Sequence, residues 1–188
     1  MICNKCITQR VLRSGYTFNR SRCVGIVANC ASGRGGNPKT RDTGALRVSI
    51  RDATVEDAAA IAAIDNEYSA EQAREEIGRG ISRVRVVHDS DGSVVAWLSA
   101  WHVPPHELQI IQITVSPSKR RRGIGRMLLQ SALDTYGPSV SEVVLEVRED
   151  NMAARALYDK LGFTQLGSVR KNYYADGTGA VCMVRASE

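Results

Sequence analysis

From Leu46 onward, apolar and polar residues alternate with two different periods, and the changes of period predict the secondary structure. A period of two is typical of a strand, whereas apolar residues three or four apart are typical of a helix with one buried face. Thr54 and Asn151 are suitable helix caps, and Gly137-Pro138 ends a helix. The predicted elements are a strand at 48–50, helices at 54–64 and 70–77, strands at 83–88, 94–101 and 108–115, a helix at 124–136, a strand at 143–148, a helix at 151–161, and a final strand pair at 163–173 and 181–185.

This order of elements predicts one mixed α/β sheet with helices on both faces. Asp-Gly pairs at Asp91-Gly92 and Asp176-Gly177 mark the turns of two hairpins. With 188 residues, the chain has room for one ordinary domain and a tail. No run of about 18 apolar residues occurs, so neither a membrane-spanning helix nor a membrane partner is expected.

The formal net charge of +5 is distributed unevenly along the chain. Residues 1–41 contain eight Lys and Arg and no Asp or Glu, whereas the remainder has 17 basic and 20 acidic residues, a charge of −3. A basic nucleic-acid-binding domain is therefore not indicated. The Arg-rich, hydroxyl-rich, acid-free composition of 1–41 is typical of an organellar transit peptide, so we expect a disordered, removable segment followed by a domain at 46–188.

Import into the chloroplast is the favoured destination of this segment, because Ile26-Val27-Ala28 and the small residues after it resemble a plastid processing region. The mitochondrion is the alternative, since the two kinds of presequence overlap in composition. A basic arm that stays attached and touches nucleic acid is the other interpretation.

Cysteine placement argues against both a disulfide framework and a metal site. Four of the five cysteines lie within 1–41, which leaves Cys182 in the expected domain. Cys3 and Cys6 have the spacing of half a zinc site, but no second pair repeats it. His102 and His106 flank two prolines, which preclude a helical face, and we expect them in a loop without metal.

The most informative stretch, residues 115–126, lies between a predicted strand and a predicted helix, is strongly basic, and contains Gly123 and Gly125. A helix N-terminus leaves backbone N–H groups unpaired, and glycines allow a ligand to approach the backbone, so the stretch predicts a phosphate-binding loop. It is neither a P-loop nor a dinucleotide fingerprint, because position 128 is Leu and no Gly-Lys-Ser/Thr follows. No aromatic residues interleave with the basic ones, which disfavours a nucleic-acid surface.

Arg120-x-x-Gly123-x-Gly125 resembles the Arg/Gln-x-x-Gly-x-Gly/Ala signature of the Gcn5-related N-acetyltransferases (GNAT). The segments that follow strengthen the resemblance and are similar to those of the bacterial ribosomal-protein alanine N-acetyltransferases. They are Leu145-Glu146-Val147-Arg148, Asn151, the run from Ala156 to Phe163, and Arg170-Lys171-Asn172-Tyr173-Tyr174. The resemblance covers 110–185 specifically and 47–109 weakly, and it implies a mixed, mostly antiparallel sheet flanked by helices on both faces.

The resemblance implies acetyl-CoA as cosubstrate, with its pyrophosphate on the basic loop. Asn151 would combine helix capping with a cofactor contact, and residues 113–115 would pair with the pantetheine arm through their backbone. The implied cofactor-binding residues are Ile113, Thr114, Val115, Arg120, Arg121, Arg122, Gly123, Ile124, Gly125, Arg126 and Asn151.

Acetyl transfer to an amine requires an uncharged amine and a proton for the departing thiolate. On its predicted strand, Glu146 shares a face with Val144 and Arg148, and its spacing alone also suits a surface Glu paired with Arg148. The resemblance implies that Glu146 takes the amine proton through water. It implies that Tyr158, with an ordinary phenol pKa of about 10, is the general acid, the alternative being a core tyrosine.

A protein N-terminus is favoured as acceptor on physical grounds. At pH 7.5 roughly a third of an α-amine with a pKa of about 7.7–8.0 is uncharged, against about 0.1% of lysine. A desolvating pocket keeps lysine open as an acceptor. The resemblance implies that Tyr173 and Tyr174 wall the peptide slot and that ribosomal proteins are acceptors. Glu107 is either an acidic contact for the ammonium or a rim residue.

One departure from the family pattern affects the acceptor side. Where the family often carries an aromatic-proline-aromatic element, residues 65–69 read Asp-Asn-Glu-Tyr-Ser, so preference for N-terminal alanine is in doubt. A small-amine acetyltransferase of the same fold and a non-catalytic CoA-binding or nucleic-acid-binding module are the alternative functions. An intact Glu146 and Tyr158 argue against a non-catalytic module.

Overall fold

The computed structural model describes residues 48–187. The predicted transit peptide and four of the cysteines lie outside these residues. The regular elements are β1 Ser49–Asp52, α1 Ala58–Ile64, α2 Ala70–Gly78, β2 Ser82–His88, β3 Val94–Val103, β4 Glu107–Val115, α3 Ile124–Tyr136, β5 Glu142–Arg148, α4 Met152–Lys160, β6 Thr164–Gln165 and β7 Ala180–Ala186. Among these residues, none of the helices has both the length and the apolar content to span a bilayer.

The strands form one seven-stranded sheet in the order β1-β2-β3-β4-β5-β7-β6. Every neighbouring pair is antiparallel except β4 and β5, which run parallel and are connected through α3. A parallel pair needs such a crossover because its strands start at the same edge. The predicted mixed, mostly antiparallel sheet is confirmed.

The parallel contact between β4 and β5 is short. Only Glu107–Ile110 pair with Glu142–Leu145, although β4 continues to Val115 and β5 to Arg148. Within residues 48–187, no strand pairs with the β5 side of β4 beyond Ile110. Pairing between the two strands therefore ends before Ile111 of β4 and Glu146 of β5. Beyond these residues the two strands are separated by an opening, which we call the seam.

The sheet is covered on both faces, as the sequence predicts. The larger core packs α3 and α4 against one face and includes Leu128, Leu145 and Tyr158. The smaller core packs α1 and α2 against the other face around Ile61 and Trp97. We call these the donor face and the acceptor face, respectively, after the roles that the resemblance to the GNAT family implies for their residues. Because successive residues of a strand point to opposite faces, each strand distributes its side chains between the two.

A bulge in β4 changes which side chains reach the donor face. The register shifts between Ser99 and Ala100 of β3, so that Ile111 has no partner of its own. As a result, Ile110 and Ile113 both pack into the donor-face core although they are three residues apart. A regular strand, as predicted, would have placed them on opposite faces.

The strand predicted at 163–173 is wrong for most of its length. Only Thr164–Gln165 form β6, followed by an isolated bridge between Arg170 and Ala180. Gly167 has a φ of 71° and Asn172 a φ of 52°, and a strand cannot continue through left-handed residues. The expectation of a loop at His102 is also wrong, since β3 extends to Val103, whereas His106 lies in the turn before β4.

Candidate active site

A cleft of about 650 Å³ opens on the donor face between β4, the basic loop and α4. β4 contributes the side chains of Ile113 and Val115, and α4 contributes Leu157 and Tyr158. Basic side chains border the other end of the cleft. The complete lining is Ile113, Val115, Lys119, Arg120, Arg121, Gly123, Ile124, Gly125, Arg126, Met152, Ala153, Ala154, Ala156, Leu157, Tyr158 and Lys160.

The basic loop is held in a sharp turn. Arg120 donates a hydrogen bond from Nε to the carbonyl of Val115 at 3.0 Å, and Lys119 forms an ion pair with Asp89 in the β2–β3 turn. The hydrogen bond from Lys119 keeps the pKa of Asp89 below its usual value. Arg121 and Gly123 both have left-handed backbones, with φ of 62° and 83°. Strained, over-determined backbone of this kind is typical of ligand-binding turns.

The N-terminus of α3 faces the cleft without a side-chain cap. Gly123 occupies the cap position and makes no side-chain hydrogen bond, so the helix presents its first N–H groups to the cleft. A Cβ at Gly125 would lie 3.5 Å from Val115, an ordinary contact. A helix N-terminus, basic side chains and apolar walls suit a ligand that has phosphates at one end and an apolar arm at the other.

Most of the predicted cofactor-binding residues meet at this cleft. Eight of them line it, namely Ile113, Val115, Arg120, Arg121, Gly123, Ile124, Gly125 and Arg126. Thr114 points to the acceptor face, where its hydroxyl donates to Asp65 at 2.7 Å. Arg122 and Asn151 are outside the lining, and Asn151 accepts a hydrogen bond from the N–H of Ala154 at 3.1 Å, as a helix cap does. Binding roles for all eleven remain predictions.

Tyr158 belongs both to the donor-face core and to the wall of the cleft, and its role as general acid remains a prediction. Its side chain is almost fully buried in the donor-face core and packs edge-on against Phe163, with ring centroids 5.9 Å apart. It also lines the cleft. Sequence reasoning did not identify the apolar contribution of Met152 and Leu157 to the same wall, although the helical spacing of the α4 residues contains that signal.

Glu146 lies where the seam opens, immediately after Leu145, the last residue of β5 that pairs with β4. Its side chain is 8% exposed and forms an ion pair with Arg170 through Oε1. Its Oε2 accepts a hydrogen bond from the hydroxyl of Tyr173 at 2.6 Å. Arg148 instead pairs with Asp150 and Asp176, so the alternative of a surface Glu paired with Arg148 is not what the structure shows.

Tyr173 and Tyr174 flank Glu146 in the loop before β7. Burial and the charge of Glu146 raise the pKa of both phenols, so both remain protonated at neutral pH. The guanidinium of Arg148 lies over the ring of Tyr174 at 4.9 Å. The Tyr174 hydroxyl is buried and has no hydrogen-bond partner among the described residues.

Glu107 lies at the start of β4 and is partly buried. Gln109 is the register partner of Val144, whose side chain lies on the same face of the sheet as that of Glu146. Gln109 also donates a hydrogen bond to the carboxylate of Glu107. Glu107 therefore belongs to the acceptor face, as its predicted role requires. A contact with the ammonium remains a prediction.

A buried carboxylate that sequence reasoning missed anchors the segment 65–69. Asp65 is 4% exposed and accepts hydrogen bonds from Trp97 at 2.9 Å, Gln112 at 3.0 Å and Thr114 at 2.7 Å. These bonds tie the connection between α1 and α2 to β3 and β4. The signal in the sequence was the pair of polar residues, Gln112 and Thr114, within an otherwise apolar strand.

Within residues 48–187, no group of three or more His, Cys, Asp and Glu side chains is arranged to hold a metal ion. Cys182 is a free, buried thiol on β7.

Comparison with known proteins supports the interpretation drawn from this geometry. The family model described as acetyltransferase (GNAT) family matches residues 50–163, more than half of the chain. The N-alpha-acetyltransferase RimI of Mycobacterium tuberculosis is 45% identical over 84 residues, 45% of this chain and 52% of that protein. The [ribosomal protein bS18]-alanine N-acetyltransferase of Salmonella typhimurium is 43% identical over 74 residues, 39% of this chain and 49% of that protein.

The chain thus spans about half the length of each of these two curated relatives. Among solved structures, the ribosomal-protein-S18-alanine N-acetyltransferase of Escherichia coli matches with a TM-score of 0.69 and 27% identity, covering 76% of this chain and 95% of that one. The cleft, with its basic rim and apolar walls, fits acetyl-CoA, the acetyl donor of GNAT enzymes. The chain belongs to the acetyltransferase (GNAT) family.

Proposed function

We propose that the protein transfers acetyl from acetyl-CoA to the α-amino groups of protein N-termini, with lysine side chains as a secondary class of acceptor. The observation that carries this proposal is the buried Glu146 carboxylate at the seam, flanked by Tyr173 and Tyr174 on the acceptor face. In this proposal, an extended peptide reaches Glu146 from the acceptor face while the donor occupies the cleft on the opposite face.

In this proposal the cleft holds the cosubstrate and the seam joins the two sites. Arg120, Arg121 and Arg126, with the N-terminus of α3, would hold the phosphates, and Ile113 and Val115 would contact the apolar arm. The backbone of residues 111–115 faces the seam without a strand partner and offers hydrogen bonds to the amides of that arm.

Glu146 is the proposed general base. Its carboxylate would remove a proton from the incoming ammonium, through a water molecule, before the amine attacks the thioester. Tyr158, which lines the cleft, is the proposed general acid for the departing thiolate. Tyr174 would donate its free hydroxyl to the backbone of the acceptor peptide.

The name of the Salmonella relative indicates the class of acceptor, since that protein acts on ribosomal protein bS18. We propose ribosomal proteins as candidate acceptors on this similarity. The Asp65–Ser69 segment differs from the family pattern on the acceptor face, so the preferred first residue need not be alanine.

A peptide library with free N-termini, incubated with the full chain and acetyl-CoA and read by mass spectrometry, tests the proposal. Acetylation concentrated on α-amines supports it. Acetylation of polyamines such as spermidine, without transfer to any peptide, would instead identify a small-amine acetyltransferase. Transfer to neither acceptor class would contradict enzymatic activity under these conditions and favour a binding module.

We also propose that residues 1–41 direct the protein to the chloroplast, with the mitochondrion as the alternative destination. Their charge of +8 without an acidic residue supports this proposal. Fusion of residues 1–41 to a fluorescent protein tests it, since import and cleavage are expected in one organelle, and uniform cytosolic fluorescence would contradict it.

A further inference from the structure

Arg170 is placed beside Glu146 by the backbone. Its N–H donates to the carbonyl of Ala180 at 2.9 Å, and its own carbonyl accepts from the N–H of Ala180 at 3.0 Å. Ala180 is the register partner of Arg148, two residues beyond Glu146 on β5. This isolated bridge therefore holds a residue from the loop before β7 at the end of β5, 24 positions along the chain from Glu146.

The side chain of Arg170 contacts both Glu146 and Tyr173, so the three residues form one cluster. Its Nη2 contacts Oε1 of Glu146, and its guanidinium lies over the ring of Tyr173 at 4.3 Å from the centroid. Tyr173 in turn donates its hydroxyl to the other carboxylate oxygen. Each oxygen of Glu146 is thus held by a different residue, which fixes the plane of the carboxylate.

Two arginines, Arg148 and Arg170, lie near Glu146. Arg148 lies on the same face of β5 but is bound to Asp150 and Asp176. Tyr173 and Tyr174 remain neutral phenols, and Cys182 is the register partner of Glu146 on β7. Arg170 is therefore a cation in direct contact with a carboxylate that is 8% exposed. A buried carboxylate without such a partner is strongly disfavoured relative to its protonated form.

We infer that Arg170 is a positioning residue that keeps Glu146 ionised and oriented for proton removal. This inference rests on the proposed role of Glu146 as base.

The test compares kcat/KM for one acceptor peptide at pH 6 and pH 8.5 in the wild type, Arg170→Gln and Arg170→Lys. Because every enzyme uses the same peptide, the titration of its amine cancels in the ratio to wild type. Arg170→Gln is expected to lose about tenfold more activity at pH 6 than at pH 8.5, because the unpaired carboxyl takes up a proton. Arg170→Lys keeps the cation and is expected to show a smaller difference.

Arg83→Gln is the matched control, since Arg83 lies on β2 and donates only to the carbonyls of Gly80 and Ser82. It is expected to leave the ratio between the two pH values unchanged. Equal loss of activity at both pH values in Arg170→Gln would overturn the inference. Glu146→Gln alone distinguishes the two proposals, because unchanged turnover in that variant contradicts the base role itself.

Stability measurements keep the inference falsifiable if Arg170→Gln folds poorly. The melting temperature of Arg170→Gln should fall further below wild type at pH 8.5 than at pH 5, since only the ionised carboxylate lacks its partner. Adding Glu146→Gln should restore folding, because neither charge remains buried. A double variant that is as unstable as Arg170→Gln would show a scaffold role independent of Glu146 and would overturn the inference.

Discussion

The two faces of the sheet present opposite kinds of site. The donor-face cleft combines apolar walls with a helix N-terminus and a basic loop, and its lining comes from two continuous stretches, 113–126 and 152–160. The acceptor face instead carries Glu146, Arg170, Tyr173 and Tyr174. Glu146 forms an ion pair with Arg170 and accepts a hydrogen bond from Tyr173, and the ring of Tyr174 lies against the guanidinium of Arg148. The donor-face cleft suits an anionic ligand, whereas the acceptor-face cluster is centred on the carboxylate of Glu146.

This difference determines what a substitution should change. The donor face depends on the local backbone of one loop, so its substitutions should act on the affinity for acetyl-CoA. The acceptor face depends on the register between β5 and β7, and its substitutions should act on turnover and on the acceptor peptide. The following predictions test that division, beginning with the largest effect.

Glu146→Gln should lower kcat by about 10² or more while leaving the affinity for acetyl-CoA unchanged, because the amide cannot accept the proton. Steady-state kinetics with one peptide measures the loss. Glu142→Gln, at the start of the same strand, is the matched control and should retain activity. Normal turnover in Glu146→Gln would show that the acceptor face does not supply the base, which contradicts the division between the two faces.

Gly179→Ala should disturb the acceptor face without reaching the cleft. A Cβ there would lie 2.7 Å from the carboxylate of Glu149, which is itself bound to the N–H of Gly179, and 2.9 Å from Val169. Overpacking of this kind costs about 1–3 kcal/mol of folding stability. The melting temperature should therefore fall, and kcat/KM for the peptide should fall because the loop that carries Tyr173 and Tyr174 is displaced. Gly80→Ala, where a Cβ meets nothing, is the control, and a weakened affinity for acetyl-CoA in Gly179→Ala would contradict the division.

Gly123→Ala and Gly125→Ala form a matched pair on the donor face. Gly123 has a φ of 83°, so a side chain there strains the backbone by about 1–2 kcal/mol. Gly125 lies within α3, where alanine is tolerated and a Cβ makes ordinary contacts. Gly123→Ala should reduce the free energy of unfolding in urea, whereas Gly125→Ala should leave it nearly unchanged. Both variants should weaken acetyl-CoA binding measured by calorimetry, because both glycines line the cleft. An equal loss of stability in the two variants would show that the conformation of Gly123 is not what shapes the loop.

Asp176→Asn should have the smallest effect, since Asp176 is exposed. The hydrogen bond from Arg148 keeps its pKa well below the usual value. A group with a lowered pKa in the folded state stabilises the fold above its unfolded pKa, about 3.9, and this contribution disappears as the pH falls further. Protection of loop amides 172–179 from hydrogen exchange should therefore drop as the pH falls from about 4 to about 2 in the wild type, and less in Asp176→Asn. Identical pH dependence would show that this ion pair does not hold the acceptor loop.

The donor face was largely predictable from the sequence because its chemistry is local. Two glycines and a run of basic residues between a strand and a helix indicate a phosphate site by themselves, and alternation along β4 separates Ile113 and Val115 from Thr114. The predicted helices and most strands are also confirmed, since their apolar periods and caps lie within single segments.

Contacts between distant residues were beyond the reach of pattern reasoning. The pairing of Glu146 with Arg170 requires the register of β5 with β7 and an isolated bridge, and the bond from Thr114 to Asp65 joins positions 49 residues apart. The strand predicted at 163–173 failed for a related reason. The left-handed backbone of Gly167 and Asn172, which the sequence pattern did not reveal, ends the strand pairing.

The seam also affects how the sheet holds together. Only four residue pairs join β1–β4 to β5–β7 through backbone hydrogen bonding, and beyond Ile110 the ladder between the halves is missing. In the proposed complex, the amides of the pantetheine arm would continue that ladder, so the donor would complete the sheet. The backbone ladder between the two halves would then form each time acetyl-CoA binds and would be lost each time the CoA product leaves.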